Sequence, residues 1–145
     1  MLTPAAIREM IGKAKPVIGG SKVVKMYVYE RHASIQVPAA HDKGVYDTYD
    51  YRDGVLGKGI SRGQVRTPLV DLGTFNWDRL PALLERADRD LGVPNPTSHH
   101  IIVDPDYSFT SVKQVLLVYA SDDYHRTGYL VATPQGKVIK LVRNE

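Results

Sequence analysis

Two stretches of the chain carry apolar residues at the spacing of an amphipathic α-helix. In the first, LTPAAIREMIGKAKPVIGG, Thr3 can cap the helix and Pro4 suits its first turn, and we predict that Pro16 and Gly19-Gly20 end it. In the second, FNWDRLPALLERADRDLGVPNP, Gly92 is expected to end the helix. The apolar stripes consist of Ala5, Ile7, Met10, Ile11 and Ala14 in the first helix and of Leu80, Leu83, Leu84, Ala87 and Leu91 in the second.

Each predicted helix is followed by a series of β patterns in the same order. SKVVKMYVYE follows the first helix and SHHIIVDPD the second, so that Ser21 corresponds to Ser98. Further along, HASIQVP corresponds to KQVLLVYA, and Gly54 corresponds to Gly136 in the last predicted hairpin. The offset between corresponding residues grows only where loops intervene, as expected of a duplicated unit.

We therefore predict an α+β fold made of two similar halves, each a helix packed on an antiparallel β-meander of three or four strands. Residues 1–54 form the first half, residues 76–145 form the second, and residues 55–75 connect them. The connector is rich in glycine and is expected to be irregular, with PLVDLG as a short strand at most. The pattern leaves open whether the halves form one compact unit or two tandem subdomains.

The alternation within single strands predicts which side chains reach the core. In KVVKMYVYE, Val24, Met26 and Val28 point one way and are expected to face the core, whereas Tyr27 and Tyr29 point the other way. Trp77, next to the start of the second helix, is also expected to be buried.

The stretch GVYDTYDYRDG, residues 44–54, carries tyrosine and aspartate on both faces of a predicted strand. It is consistent either with an ordinary half-exposed strand or with a recognition surface, because tyrosine is common in both. Its Asp-Gly pair predicts a type I′ hairpin turn. As a recognition surface, it predicts a tyrosine-rich sheet face whose contact anchors are Tyr27, Tyr29, Tyr49 and Tyr51, with Asp47 and Arg52 at the rim.

Composition narrows the possible functions. The chain has no cysteine, which excludes disulfides and thiolate metal sites. The net charge is +3, but lysine and arginine are spread along the chain, so we predict no nucleic-acid partner. No apolar run approaches the ~18 residues of a membrane-spanning helix, so no membrane insertion is predicted.

Catalytic and metal-binding motifs are weak. His99 and His100 are adjacent on a strand and should face opposite ways, so they cannot easily share one metal ion. A small metal-dependent hydrolase that uses His99 or His100 with Asp104 is the least favoured alternative, and a pocket joining them to His32 or His125 would support it. We predict no metal site, no cofactor and no catalytic residue.

The repeated helix-then-meander pattern resembles the PepSY-type architecture and the tandem helix-plus-sheet inhibitor modules of the β-lactamase-inhibitory-protein kind. FNWDRLPALLERADRDLGVPNPTSHHIIVDP together with VYDTYDYRDG is also similar to the extracytoplasmic part of uncharacterised actinobacterial membrane proteins or lipoproteins. The resemblance implies a non-catalytic binding or regulatory domain that recognises a protein or cell-envelope partner. It favours an extracytoplasmic location, with an upstream segment outside this sequence.

Two alternatives concern the partner. The first is a cytosolic immunity-type or other inhibitory protein that blocks a toxin or an enzyme, which would need no signal and no anchor. The second is a homodimer, which exposed strand edges in two meanders favour because such edges can pair between chains.

Overall fold

The computed structural model describes residues 1–145, which form two helices and ten strands. Two short 3₁₀ turns, Leu72–Thr74 and Trp77–Arg79, precede the second helix. The elements are α1 Pro4–Ile18, β1 Lys22–Val23, β2 Lys25–Val28, β3 His32–Pro38, β4 Val45–Arg52, β5 Val55–Gln64, β6 Val70–Asp71, α2 Leu80–Asp90, β7 Ser98–Asp104, β8 Val115–Ser121, β9 Thr127–Ala132 and β10 Val138–Val142.

The long strands form one antiparallel eight-stranded sheet in the order β10-β9-β8-β7-β2-β3-β4-β5. Each half contributes a helix and a four-stranded meander once the first half is extended to include β5, and the α+β fold class is confirmed. The halves join where β2 pairs with β7, with Met26 opposite Val103 and Val28 opposite Ile101. Because the first long strand of each meander meets its counterpart, the sheet continues without interruption from one half into the other.

Both helices pack on the same face of this sheet. A single cluster of 26 buried residues combines the apolar stripes of α1 and α2 with one face of the strands, including Met26, Ile35, Ile101 and Leu130. Met26 and Val28 are fully buried there, as the alternation predicts. The opposite face of the sheet carries no helix.

Local signals explain where the helices end. The Thr3 hydroxyl accepts a hydrogen bond from the Ala6 amide at 3.1 Å, and Gly19 adopts a left-handed conformation that ends α1. Pro16 does not end the helix, contrary to the prediction; α1 continues through it to Ile18. Trp77 is buried as predicted, and its indole N–H donates to the Leu72 carbonyl at 3.2 Å.

The predicted irregular connector is wrong for residues 55–64. These residues form β5, the edge strand of the sheet, and β4 and β5 are joined by the expected turn, with positive φ at Asp53 and Gly54. One glycine of β5 lies directly under a side chain of β4: a Cβ on Gly63 would come within 2.6 Å of the Tyr46 ring, which favours glycine at this position. Within PLVDLG, Val70–Asp71 forms the short strand β6, which pairs with β1.

Neither α1 nor α2 has the length together with the apolar character that a membrane-spanning helix requires.

Candidate functional site: the helix-free face of the sheet

The face of the sheet opposite the helices displays aromatic side chains from both halves of the chain. Alternation along β3, β7, β8 and β9 places four of these side chains on this face, because their neighbours in the sequence point into the core: His32, His100, Tyr119 and Tyr129. Seven rings follow one another in contact across this face, and we call them the aromatic row: His32, Tyr29, His100, Tyr119, Tyr129, Tyr107 and Phe109.

Strand register creates the row. His100 of β7 lies directly opposite Tyr119 of β8, which lies opposite Tyr129 of β9. The ring centroids of His100 and Tyr119 are 4.2 Å apart, and those of Tyr119 and Tyr129 are 4.9 Å apart. These distances approximate the spacing of adjacent strands, about 4.8 Å, so the rings follow the hydrogen-bonding direction of the sheet.

The row crosses the junction between the two halves. Tyr29, just after β2, stacks on His32 at 4.7 Å and on His100 at 5.5 Å. The interplanar angles at these two contacts are 18° and 26°, and the angle between His100 and Tyr119 is 10°. The rings in this part of the row therefore turn their faces toward each other.

The loop after β7 completes the row at its other end. Tyr107 is buried on a small cluster of Val115, Leu117 and Val131, and its hydroxyl lies 2.8 Å from that of Tyr129. Burial and this hydrogen bond raise the pKa of Tyr107. Phe109 contacts Tyr107 edge-on and is 72% exposed.

The centre of the row is uncharged at neutral pH. Burial lowers the pKa of His100 and raises the pKa of Tyr119, so both rings favour their neutral forms. Cations lie along its margins: Arg52 is opposite His32 in the β3–β4 ladder, and the Lys140 ammonium lies 5.2 Å from the centre of the Phe109 ring. A shallow groove of about 520 Å³ adjoins this end, between Phe109, Tyr129 and Lys140.

The structure separates the predicted contact residues onto two faces. Tyr27, Tyr29 and Arg52 lie on the helix-free face, as required of a common surface. Tyr49 and Tyr51 do not share it, because they pair with Ile35 and Ala33 in β3 and face the helices.

Tyr51 is 4% exposed and belongs to the main core, and Tyr49 packs against that core. Asp47 also lies on the helix side, where its carboxylate is 3.5 Å from both the Lys58 ammonium and the Arg62 guanidinium. The expectation of one face with all four tyrosines and this aspartate at its rim is therefore wrong.

His99 and His100, the histidines of the hydrolase alternative, lie on opposite faces of β7. His99 faces away from His100: its Nε2 lies 2.6 Å from an Asp88 carboxylate oxygen in α2, and its amide donates to Glu30 at 2.7 Å. His99 thereby links the second half to the β2–β3 turn of the first. No group of three or more histidine, cysteine, aspartate or glutamate side chains is placed to hold a metal ion.

Sequence reasoning missed the contribution of the second half to the aromatic surface. Tyr119 and Tyr129 each alternate with buried residues in a strand, which indicates that they face away from the core. His100 precedes the buried Ile101 in β7, which indicates in the same way that His100 faces away from the core. Their contact, however, depends on the β7–β8–β9 register, which single-strand alternation does not predict.

Searches against protein-family models, curated proteins and solved structures return no match to the chain. The resemblance to PepSY-type and inhibitor modules therefore stays a prediction.

Proposed function

We propose that the protein is a non-catalytic binding module that recognises a protein partner through the helix-free face of its sheet, with the aromatic row at the centre of the contact. The observation that carries the proposal is the contiguous row of seven aromatic rings on a face that no helix covers. Tyrosine is enriched in binding hot spots because it offers a large contact area at low entropic cost, together with a hydroxyl.

The orientation of the rings favours a protein over a nucleic acid. Stacking of nucleobases requires free ring faces. In the His32–Tyr29–His100–Tyr119 part of the row, those faces already contact one another. The row thus offers ring edges and hydroxyl groups, which suit the side chains and backbone of a protein surface.

Affinity capture with matched variants tests this function. The immobilised protein is exposed to extracts of its native host, and retained proteins are identified by mass spectrometry. Phe109→Asp places a charge at the exposed end of the row. Tyr124→Asp is the matched control, because Tyr124 is 81% exposed in the β8–β9 turn and belongs to no ring contact of the row.

We expect a defined protein that is retained by the wild type and by Tyr124→Asp and lost with Phe109→Asp, because a charge at a desolvated contact weakens binding strongly. Purified wild-type protein and partner should then form a complex of defined stoichiometry. Equal retention by both variants would contradict a contact centred on the row.

A further inference from the structure

We propose that the edge strand β5 accepts an extended acidic segment of a protein partner as a ninth strand of the sheet. This inference goes beyond the proposed function and does not depend on it, because β5 is separated by β4 from β3, the nearest strand of the aromatic row. Four properties of β5 support it: its free edge, its length, its charge and its exposed apolar side chains.

The hydrogen-bonding edge of β5 is long and accessible. β5 spans ten residues and pairs with β4 on one side alone. In an antiparallel ladder, alternate residues direct their N–H and C=O groups away from the paired strand. Each edge strand has one irregularity in its register with the neighbouring strand, between Asp47 and Tyr49 in the β4–β5 pair. β10 has only five residues, so β5 offers the longer template.

The charge of β5 indicates which kind of strand fits. Residues 55–70 contain Lys58, Arg62 and Arg66 and no acidic residue. On the neighbouring strand, Asp47 lies 3.5 Å from both Lys58 and Arg62, so one carboxylate compensates two cations. A groove of about 440 Å³ lies beside these side chains and is also lined by His41. An acidic segment would complement this edge.

The same charge disfavours a second copy of the chain as the occupant. Pairing of two β5 strands would bring two cationic strands together, and like charges on adjacent strands are destabilising.

β5 also exposes apolar side chains. Ile60 is 98% exposed and Val55 is 67% exposed, so both are available to a partner strand. When a peptide adds to a sheet edge as a further strand, main-chain hydrogen bonds supply the affinity and side-chain contacts select the partner.

A synthetic peptide tests the proposal on the full chain. The probe is a fluorescent ten-residue peptide that alternates glutamate and valine, with blocked ends. We expect saturable binding by fluorescence anisotropy, weakening with added salt, and slower exchange of β5 amide hydrogens in the complex.

Two peptide controls separate backbone pairing from charge. A version N-methylated at alternate residues cannot complete the ladder, and a version with lysine in place of glutamate has the wrong charge. Each should bind about tenfold more weakly or worse, a loss that corresponds to about 1.4 kcal/mol. Equal binding of either control, or no binding of the acidic peptide, would overturn the proposal.

Protein variants locate the site. Lys58→Gln/Arg62→Gln should weaken binding of the acidic peptide about tenfold, whereas Lys137→Gln/Arg143→Gln, which removes two cations beside β10, should leave it unchanged. The reverse pattern would place the site at the other edge and refute the proposal. The peptide controls use the wild-type chain, so they remain decisive if a variant fails to fold. Phe109→Asp should bind the peptide normally, which separates this site from the aromatic row.

Discussion

At the scale of single residues, His100 has a specific place in the fold. Its ring is stacked between Tyr29 and Tyr119, and burial lowers its pKa. A charged imidazolium at this position would lose solvation without an acidic partner among its stacking neighbours. The folded state therefore favours the neutral form of His100 over the protonated form.

This lowered pKa predicts a loss of stability at acidic pH. The unfolded chain binds a proton near the ordinary histidine pKa of about 6.5, whereas folded His100 does so at lower pH. The contribution of His100 to the free energy of unfolding should therefore fall as the pH is lowered from about 7 toward 5, and level off below the folded pKa of this ring.

NMR titration of the His100 ring should give a midpoint below about 6.5. Chemical unfolding of His100→Phe over the same range should show a smaller loss than the wild type. A His100 midpoint at or above the ordinary value would contradict the account.

Residue-scale patterns also mark how far the sequence can predict the site. Period-two alternation correctly places Tyr49 and Tyr51 on one face of β4 and Arg52 on the other. It does not say which face meets the helices, because both faces of this strand carry tyrosine and aspartate. The pairing of Tyr51 with the buried Ala33 decides that question, and it exists only in the assembled sheet.

At the scale of elements, Leu91, the residue after α2, approaches the start of β9 closely. Gly128 of β9 is buried, and a Cβ built on it would lie 3.0 Å from the Leu91 Cβ and 3.0 Å from the Val142 carbonyl oxygen. The Val142 carbonyl oxygen belongs to the backbone, so it cannot move aside as the end of a flexible side chain could. The absence of a side chain at Gly128 thus allows the end of α2 to rest against the sheet.

We expect Gly128→Ala to destabilise the protein by about 1–3 kcal/mol, because it overpacks this contact. Gly57→Ala in β5 is the matched control: nothing lies within 4 Å of its added Cβ, so its effect should be neutral or slightly stabilising. Chemical unfolding of both variants measures the difference. Equal stability of the two variants would show that the α2–β9 contact adapts freely.

The two helices were predictable from sequence and β5 was not, for a physical reason. Apolar periodicity is strong in both helices, and Thr3 and Gly19 mark the ends of α1 directly. β5 contains few apolar residues and several glycines, so its own sequence disfavours a strand. Its structure depends on pairing with β4, whose Tyr46 ring lies over Gly63.

At the scale of the whole molecule, the two halves share one core and one sheet. The main cluster contains residues of both halves, and Met26 at their junction is fully buried opposite Val103. The repeated order of elements could be predicted from the sequence. The β2–β7 junction could not, because nothing in either strand alone specifies a partner in the other half.

This shared core predicts a single cooperative unfolding transition. Met26→Ala should cost about 2–5 kcal/mol and lower the stability of both halves together, since it leaves a cavity at the junction. Native-state hydrogen exchange at Val37 in β3 and Leu130 in β9 measures this. Loss of protection in one half alone, or two calorimetric transitions, would indicate separate domains.

The central claim is that a protein partner contacts the aromatic row, and site-specific photocrosslinking in the native host tests it most directly. A photoreactive phenylalanine analogue would replace Tyr119 in the row and, as a control, the exposed Tyr124. The account predicts a discrete protein adduct from position 119 and none from position 124. Adducts from position 124 alone, or from neither position, would contradict recognition through the helix-free face.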